Sequence, residues 1–274
     1  MTVRRRAAVL GNPIAHSLSP VIHNAGYAAA GLASWSYTRI ECAASELPGL
    51  VAGLGPEWAG LSVTMPGKEA ALAVADAASP VAVAVGAANT LVRRPDGSWY
   101  ADNTDVTGMV EVLTGAGVRP GATVTVLGAG GTARAALAAA ARLDAREVTV
   151  VARRVAAVDE LRPVADAVGV PMLGAGWAEA AACLYADVVI STVPKGVADP
   201  LAETVAWRPE AVFFDALYDP WPTPLAAAAA AAGFRVISGL DLLLAQAIGQ
   251  FEQFTGVPAP REAMALALAD ARRQ

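Results

Sequence analysis

The chain reads as an α/β protein in two domains: an N-terminal α/β unit followed by a C-terminal, doubly wound parallel sheet. Three observations predict this. Strand-like and helix-like segments alternate through the first hundred residues, and a glycine-rich break follows at residues 115–121. Beyond the break, short apolar strand patterns recur with helical stretches between them. That alternation gives a parallel sheet covered on both faces. At 274 residues the chain also exceeds a typical single domain.

The elements follow in order. Val9-Leu10 stops at Gly11-Asn12-Pro13 and reads as a strand. The segments 35–40, 60–64 and 89–92, and Trp99-Tyr100, read as extended, and 20–30, 44–54 and 66–75 as helical. Pro20 and Pro66 suit first-turn helix positions, where the missing N–H costs nothing. After the break, Thr123-Val124-Thr125-Val126-Leu127 is a buried-strand pattern that runs into glycines and an alanine-rich helix. A second strand covers 147–151, and later strands are expected at 187–190, 212–215 and 235–237. Helices over 240–254 and from 261 onward close the chain.

Composition removes several classes of function. The net charge is −5 with no basic stripe, which argues against nucleic acid. No apolar run approaches the ~20 residues of a membrane span, and none suits a signal peptide. A soluble, cytoplasmic protein with no membrane partner is expected. Cys42 and Cys183 lie far apart, and with only His16 and His23 they make no zinc pattern, so no metal is expected. The basic residues are eighteen arginines and two lysines, Lys68 and Lys195. Arginine is effectively never deprotonated, whereas an ammonium gives up and retakes a proton. Lys68, at the end of Val63-Thr64-Met65-Pro66-Gly67-Lys68, is therefore a candidate acid–base group, while Lys195 reads as a solvated loop lysine.

The cofactor signal lies between the first strand and helix of the second unit. Gly128-x-Gly130-x-x-Ala133 has the spacing of a dinucleotide fingerprint in a Rossmann-type sheet. Gly128 permits the turn, Gly130 lets the backbone approach a pyrophosphate, and Ala133 allows close helix–strand packing. The helix N-terminus adds free N–H groups and a favourable dipole. An NAD site places a carboxylate at the end of the next strand, about 20 residues on. Here Ala152-Arg153-Arg154 stands there instead, and two guanidiniums suit a 2′-phosphate, so the cofactor expected is NADP.

Four polar clusters lie at strand ends or helix starts of the first unit, where α/β ligands collect. They are Ser17-Leu18-Ser19-Pro20, Thr64 with Lys68, Asn89-Thr90, and Asn103-Thr104-Asp105. Taken singly, Ser19 serves equally well as an N-cap, and Asp105 as a cap for a helix over 106–113.

Together these motifs resemble the shikimate dehydrogenase family. The resemblance is carried by His16 to Pro20 with His23-Asn24, Val63 to Lys68, Gly86-Ala87-Ala88-Asn89-Thr90 and Asn103-Thr104-Asp105. It continues through Gly128 to Arg134, Ser191-Thr192-Val193-Pro194, Asp215 to Pro220 with Thr223-Pro224-Leu225, and Gly239 to Leu243 with Gln246, Phe251 and Thr255-Gly256. It implies a substrate domain of residues 1–105 completed by helices 240–274, around an NADP domain of residues 106–239. It implies Lys68 and Asp105 as the catalytic pair, Ser17 and Ser19 on the substrate carboxylate with Tyr218, and Thr64, Asn89 and Gln246 on ring hydroxyls. Gly128, Ala129, Gly130, Gly131, Thr132, Ala133, Arg153, Arg154, Thr192 and Gly239 would hold NADP. The implied reaction interconverts 3-dehydroshikimate and shikimate, a step of chorismate and aromatic amino-acid biosynthesis, in a monomer or homodimer. Three positions depart from the family pattern: Ser62 stands for Asn, Leu242 for Met, and Arg154 for a frequent Thr. A quinate/shikimate or aminoshikimate enzyme of the same fold, or a non-catalytic NADP-binding sensor, remain alternatives.

Overall fold

The computed structural model describes residues 4–273 and divides into two compact units, residues 1–105 with 243–274, and residues 106–242. The first unit begins with β1 (Arg5–Gly11), α1 (Ser19–Ala29), β2 (Trp35–Glu41), α2 (Leu47–Ala52), β3 (Trp58–Val63), α3 (Lys68–Val74), β4 (Ala77–Ala78), α4 (Pro80–Val85), β5 (Thr90–Arg93) and β6 (Trp99–Asp102). Helix α5 (Thr104–Gly115) leads into the second unit, with β7 (Thr123–Leu127), α6 (Gly131–Arg142), β8 (Glu147–Ala152), α7 (Val155–Asp159), α8 (Arg162–Val168), β9 (Met172–Gly176), α9 (Ala180–Cys183), β10 (Val188–Ser191), β11 (Val212–Asp215), α10 (Pro224–Ala231) and β12 (Arg235–Ile237). Helix α11 (Gly239–Thr255) returns to the first unit, and α12 (Arg261–Ala271) ends the described chain.

The first sheet has the order β2-β1-β3-β5-β6-β4. β1 pairs in parallel with β2 and β3, while β5 pairs antiparallel with β3 and β6. This register gathers the carboxyl ends of β1, β3 and β6 and the start of β5 at one edge: Leu10 lies opposite Val63, Ser62 opposite Thr90, and Thr90 opposite Asp102. All six residues of β3 are buried, as expected of a central strand with helices on both faces. The last helices pack here too. Phe251 and Phe254 of α11 join His23, Tyr27 and Tyr37 in an aromatic cluster. Gly60 makes the notch for Phe254, since a Cβ there would lie 2.1 Å from its ring.

The second sheet is wholly parallel, with the order β12-β11-β10-β7-β8-β9. Strand order reverses between β7 and β10, and ligands of open α/β sheets bind outside the strand ends at such a point. The α/β class and the parallel second sheet match the expectation from sequence.

Local readings shift in three places. Pro66 lies in the turn before α3 rather than in its first turn, because Gly67 N–H closes back on the Thr64 carbonyl at 2.9 Å. Asp105 is not a cap: α5 starts at Thr104, whose N–H donates to the Asn89 side chain at 2.8 Å. Ser19 is the first helical residue of α1 and makes no side-chain cap; Ser17 Oγ accepts its N–H at 3.3 Å instead.

Candidate active site

Lys68 opens α3, an end where the helix dipole disfavours a cation. A carboxylate meets it there: Lys68 Nζ donates to Asp105 Oδ2 at 2.6 Å, with side chains 15% and 9% exposed. Two backbone ties hold the lysine in place. Thr64 N–H donates to the Leu10 carbonyl at 2.8 Å, fixing the β3–α3 turn to the end of β1, and Ala88 N–H donates to the Lys68 carbonyl at 2.9 Å. Asp105 is held through Thr104, as Asn89 Oδ1 accepts from both the Thr104 N–H (2.8 Å) and its hydroxyl (3.1 Å). One amine and one carboxylate, each anchored through its neighbours, thus share a short charge-assisted hydrogen bond.

Ser17 and half-buried Thr64 lie at the same sheet edge, on the segments that leave β1 and β3. Arg39 Nε donates to the Ser17 carbonyl at 2.8 Å, which sets the serine loop against β2. Gln246 is buried on α11 and donates to the Leu243 carbonyl at 2.8 Å. Tyr218 is half-buried in the second unit, beyond β11.

Sequence reasoning passed over Gln250. It is 1% exposed, accepts from Ser62 Oγ at 2.7 Å, and donates to the Asn89 carbonyl (3.3 Å) and Thr90 Oγ1 (3.1 Å). Its spacing of four from Gln246 puts both on one helix face, and that was the available signal. Ser62 in turn accepts from the Tyr37 hydroxyl at 2.6 Å, so its hydroxyl is engaged on both sides within the protein. His23 stacks on Tyr37 with ring centroids 4.1 Å apart, fully buried. Burial drives its pKa from 6.5 down to about 3, an effect that the nearby Gln250 side chain offsets only in part. The imidazole is therefore neutral at pH 7.

In the second unit, the loop after β7 and the loop after β10 meet at the switch point. Thr192 N–H and hydroxyl both donate to the Leu127 carbonyl at 2.8 Å, and Gly128 N–H donates to the Val151 carbonyl at 2.9 Å. Gly128 has φ +103°, and a Cβ there would lie 2.5 Å from Thr192 Oγ1. A Cβ on Gly130 would meet open space, and no side chain caps α6, which leaves its N-terminal N–H groups facing outward. Ala133 is fully buried against the sheet. Arg153 and Arg154 are exposed at the end of β8, where no carboxylate stands. A dinucleotide phosphate fits this cradle, and the arginines suit a 2′-phosphate. Gly239 sits where a Cβ would collide with the Ala216 carbonyl at 2.2 Å, so α11 starts tight against the segment after β11. Lys195 is exposed.

Fold and site define a dinucleotide-binding α/β protein with a second, small-molecule unit carrying an amine–carboxylate pair. The shikimate dehydrogenase substrate binding domain matches residues 9–91, and the shikimate 5′-dehydrogenase C-terminal domain matches residues 239–268. Shikimate dehydrogenase (NADP(+)) of Caulobacter vibrioides is 43% identical over 264 residues, covering 92% of this chain and 90% of that protein. The crystal structure of Mycobacterium tuberculosis shikimate dehydrogenase superposes with a TM-score of 0.89 at 52% identity, covering 97% of this chain and 99% of that one. The Thermus thermophilus enzyme, solved with NADP(H) and shikimate, gives a TM-score of 0.84 at 32% identity, covering 97% and 99%. The chain belongs to the shikimate dehydrogenase family. Among the described residues, no helix is long and apolar enough to cross a membrane, and no group of three His, Cys, Asp or Glu could hold a metal ion.

Proposed function

We propose that this chain interconverts 3-dehydroshikimate and shikimate with NADP, the oxidoreductase step that its relatives are named for. The observation that carries the reading is the Lys68–Asp105 pair at the strand-end edge of the first sheet. NADP supplies or accepts the hydride when bound. The protein's part is the proton. In reduction, negative charge grows on the carbonyl oxygen and the Lys68 ammonium donates to it; in oxidation, neutral Lys68 takes the hydroxyl proton. Asp105 orients the amine through the 2.6 Å bond and accepts from the reacting hydroxyl. Ser17, Ser19 and Tyr218 bind the carboxylate, and Thr64, Asn89 and Gln246 the ring hydroxyls. Residues 128–133, Arg153, Arg154, Thr192 and Gly239 hold the cofactor. The protein works in the cytoplasm as a monomer or homodimer, in the route to chorismate and aromatic amino acids.

Steady-state rates with shikimate and NADP⁺, followed at the reduced-nicotinamide absorbance band, test this. Lys68→Ala and Asp105→Asn each lower kcat by roughly 10²–10⁴-fold while NADP affinity holds. Unchanged rates remove the proton path, and faster turnover of quinate with NAD overturns the substrate and cofactor assignment.

A further inference from the structure

We propose that Gln250 and Thr90 are positioning residues that, together with the Thr104 N–H, hold the Asn89 amide with its nitrogen toward the substrate, an inference that rests on the function proposed above. Two backbone groups make the orientation unambiguous. A backbone N–H only donates, so the Asn89 atom that receives the Thr104 N–H at 2.8 Å is the oxygen. A backbone carbonyl only accepts, so the Gln250 atom facing the Asn89 carbonyl at 3.3 Å is the nitrogen.

The remaining polarities follow in sequence. Gln250 Oε1 must face Ser62 Oγ, which donates to it at 2.7 Å and therefore accepts from the Tyr37 hydroxyl at 2.6 Å. Gln250 Nε2 donates to Thr90 Oγ1 at 3.1 Å, so the Thr90 proton is free to point at Asn89 Oδ1, 2.8 Å away. Asn89 Oδ1 then collects three donors, from Thr90 Oγ1, Thr104 N–H and Thr104 Oγ1. Its acceptor capacity is spent. Asn89 is 3% exposed, and its Nδ2 donates to nothing among the described residues. The side chain therefore offers its ligand only N–H donors and selects for an oxygen with a lone pair, as the Lys68 ammonium beside Asp105 also does. A free asparagine would spend part of its time with the oxygen outward; the Thr104 N–H turns the oxygen inward, and the chain Tyr37–Ser62–Gln250–Thr90 adds the Thr90 donor that holds it there.

The test is a double-mutant cycle on the full-length protein, with Gln250→Met, Asn89→Ala and both together. Gln250→Met is expected to raise KM for shikimate about tenfold, with kcat and the KM for NADP⁺ little changed. In the Asn89→Ala background it is expected to have no further effect, since the residue it acts through is gone. A purely structural role would lower the active fraction, and so kcat, in both backgrounds alike. An unmoved KM, or the same factor in both backgrounds, overturns the inference while leaving the proposed function standing. Wild-type protein that fails to turn over shikimate overturns both. Should Gln250→Met fail to fold, Thr90→Val breaks the same chain one link later and is read by the same two criteria.

Discussion

His23 makes the folding stability of the first unit depend on pH in a way that can be calculated. Its ring is fully buried against Tyr37 and near Phe251 and Phe254, and among the described residues neither ring nitrogen has a hydrogen-bond partner within bonding geometry. The unfolded chain protonates this ring below about 6.5, whereas the folded chain resists protonation until about 3. Between those values the unfolded state holds one proton more, so stability falls as pH falls, by about 1.4 kcal/mol per unit. From pH 7 to pH 5 the loss at this one group is about 2 kcal/mol. The other histidine, His16, is exposed. His23→Phe keeps a ring for the stack and removes the titration. Opening free energies from hydrogen exchange of the β1 and β3 amides, measured at pH 5 and pH 7, are expected to fall by about 2 kcal/mol more in the wild type than in the variant. Equal losses in the two proteins would refute the assignment of a buried neutral imidazole.

Further outcomes are expected elsewhere. Gly60→Ala forces the Phe254 ring from its notch and is expected to cost about 1–3 kcal/mol, read as a lower urea midpoint; Gly49→Ala in α2, with open space around it, is expected to stabilise by about 0.5–1 kcal/mol. Replacing Arg153 and Arg154 together by Ala is expected to raise KM for NADP⁺ about tenfold or more while leaving that for NAD⁺ unchanged, which would erase the preference between them. Gly128→Ala places a methyl group against Thr192 at a positive φ and is expected to weaken NADP⁺ binding in a fluorescence titration, with shikimate binding intact.

Much of this molecule was legible in its sequence because the signals were local. The run 123–134 encodes strand, turn and helix within a dozen residues, and the structure puts β7, Gly128 and α6 there. The scarcity of lysine drew attention to Lys68 before any geometry was known. What escaped was set by distant chain. Short helices such as α4 and α7, and the edge strand β9, carry weak periodicity and exist through packing on their neighbours. Asp105 taken singly served equally well as a cap, because a carboxylate near a helix start fits one; only the family resemblance paired it with Lys68, 37 residues away. Gln250 is a polar residue in an apolar helix, and its partners Ser62, Asn89 and Thr90 lie 160 or more positions earlier.

The return of α11 and α12 to the first sheet bears on how this polypeptide is made. Residues 106–242 are contiguous, so that unit has its whole core available as soon as it clears the ribosome. The older segment must wait. Until Phe254 reaches the notch at Gly60, and Met264 comes to rest beside Gly26, the nascent sheet presents an uncovered apolar face for more than a hundred codons. The segment made earlier is thus sealed later, and a synthesis arrested before residue 243 would leave a finished second unit tethered to an aggregation-prone first one.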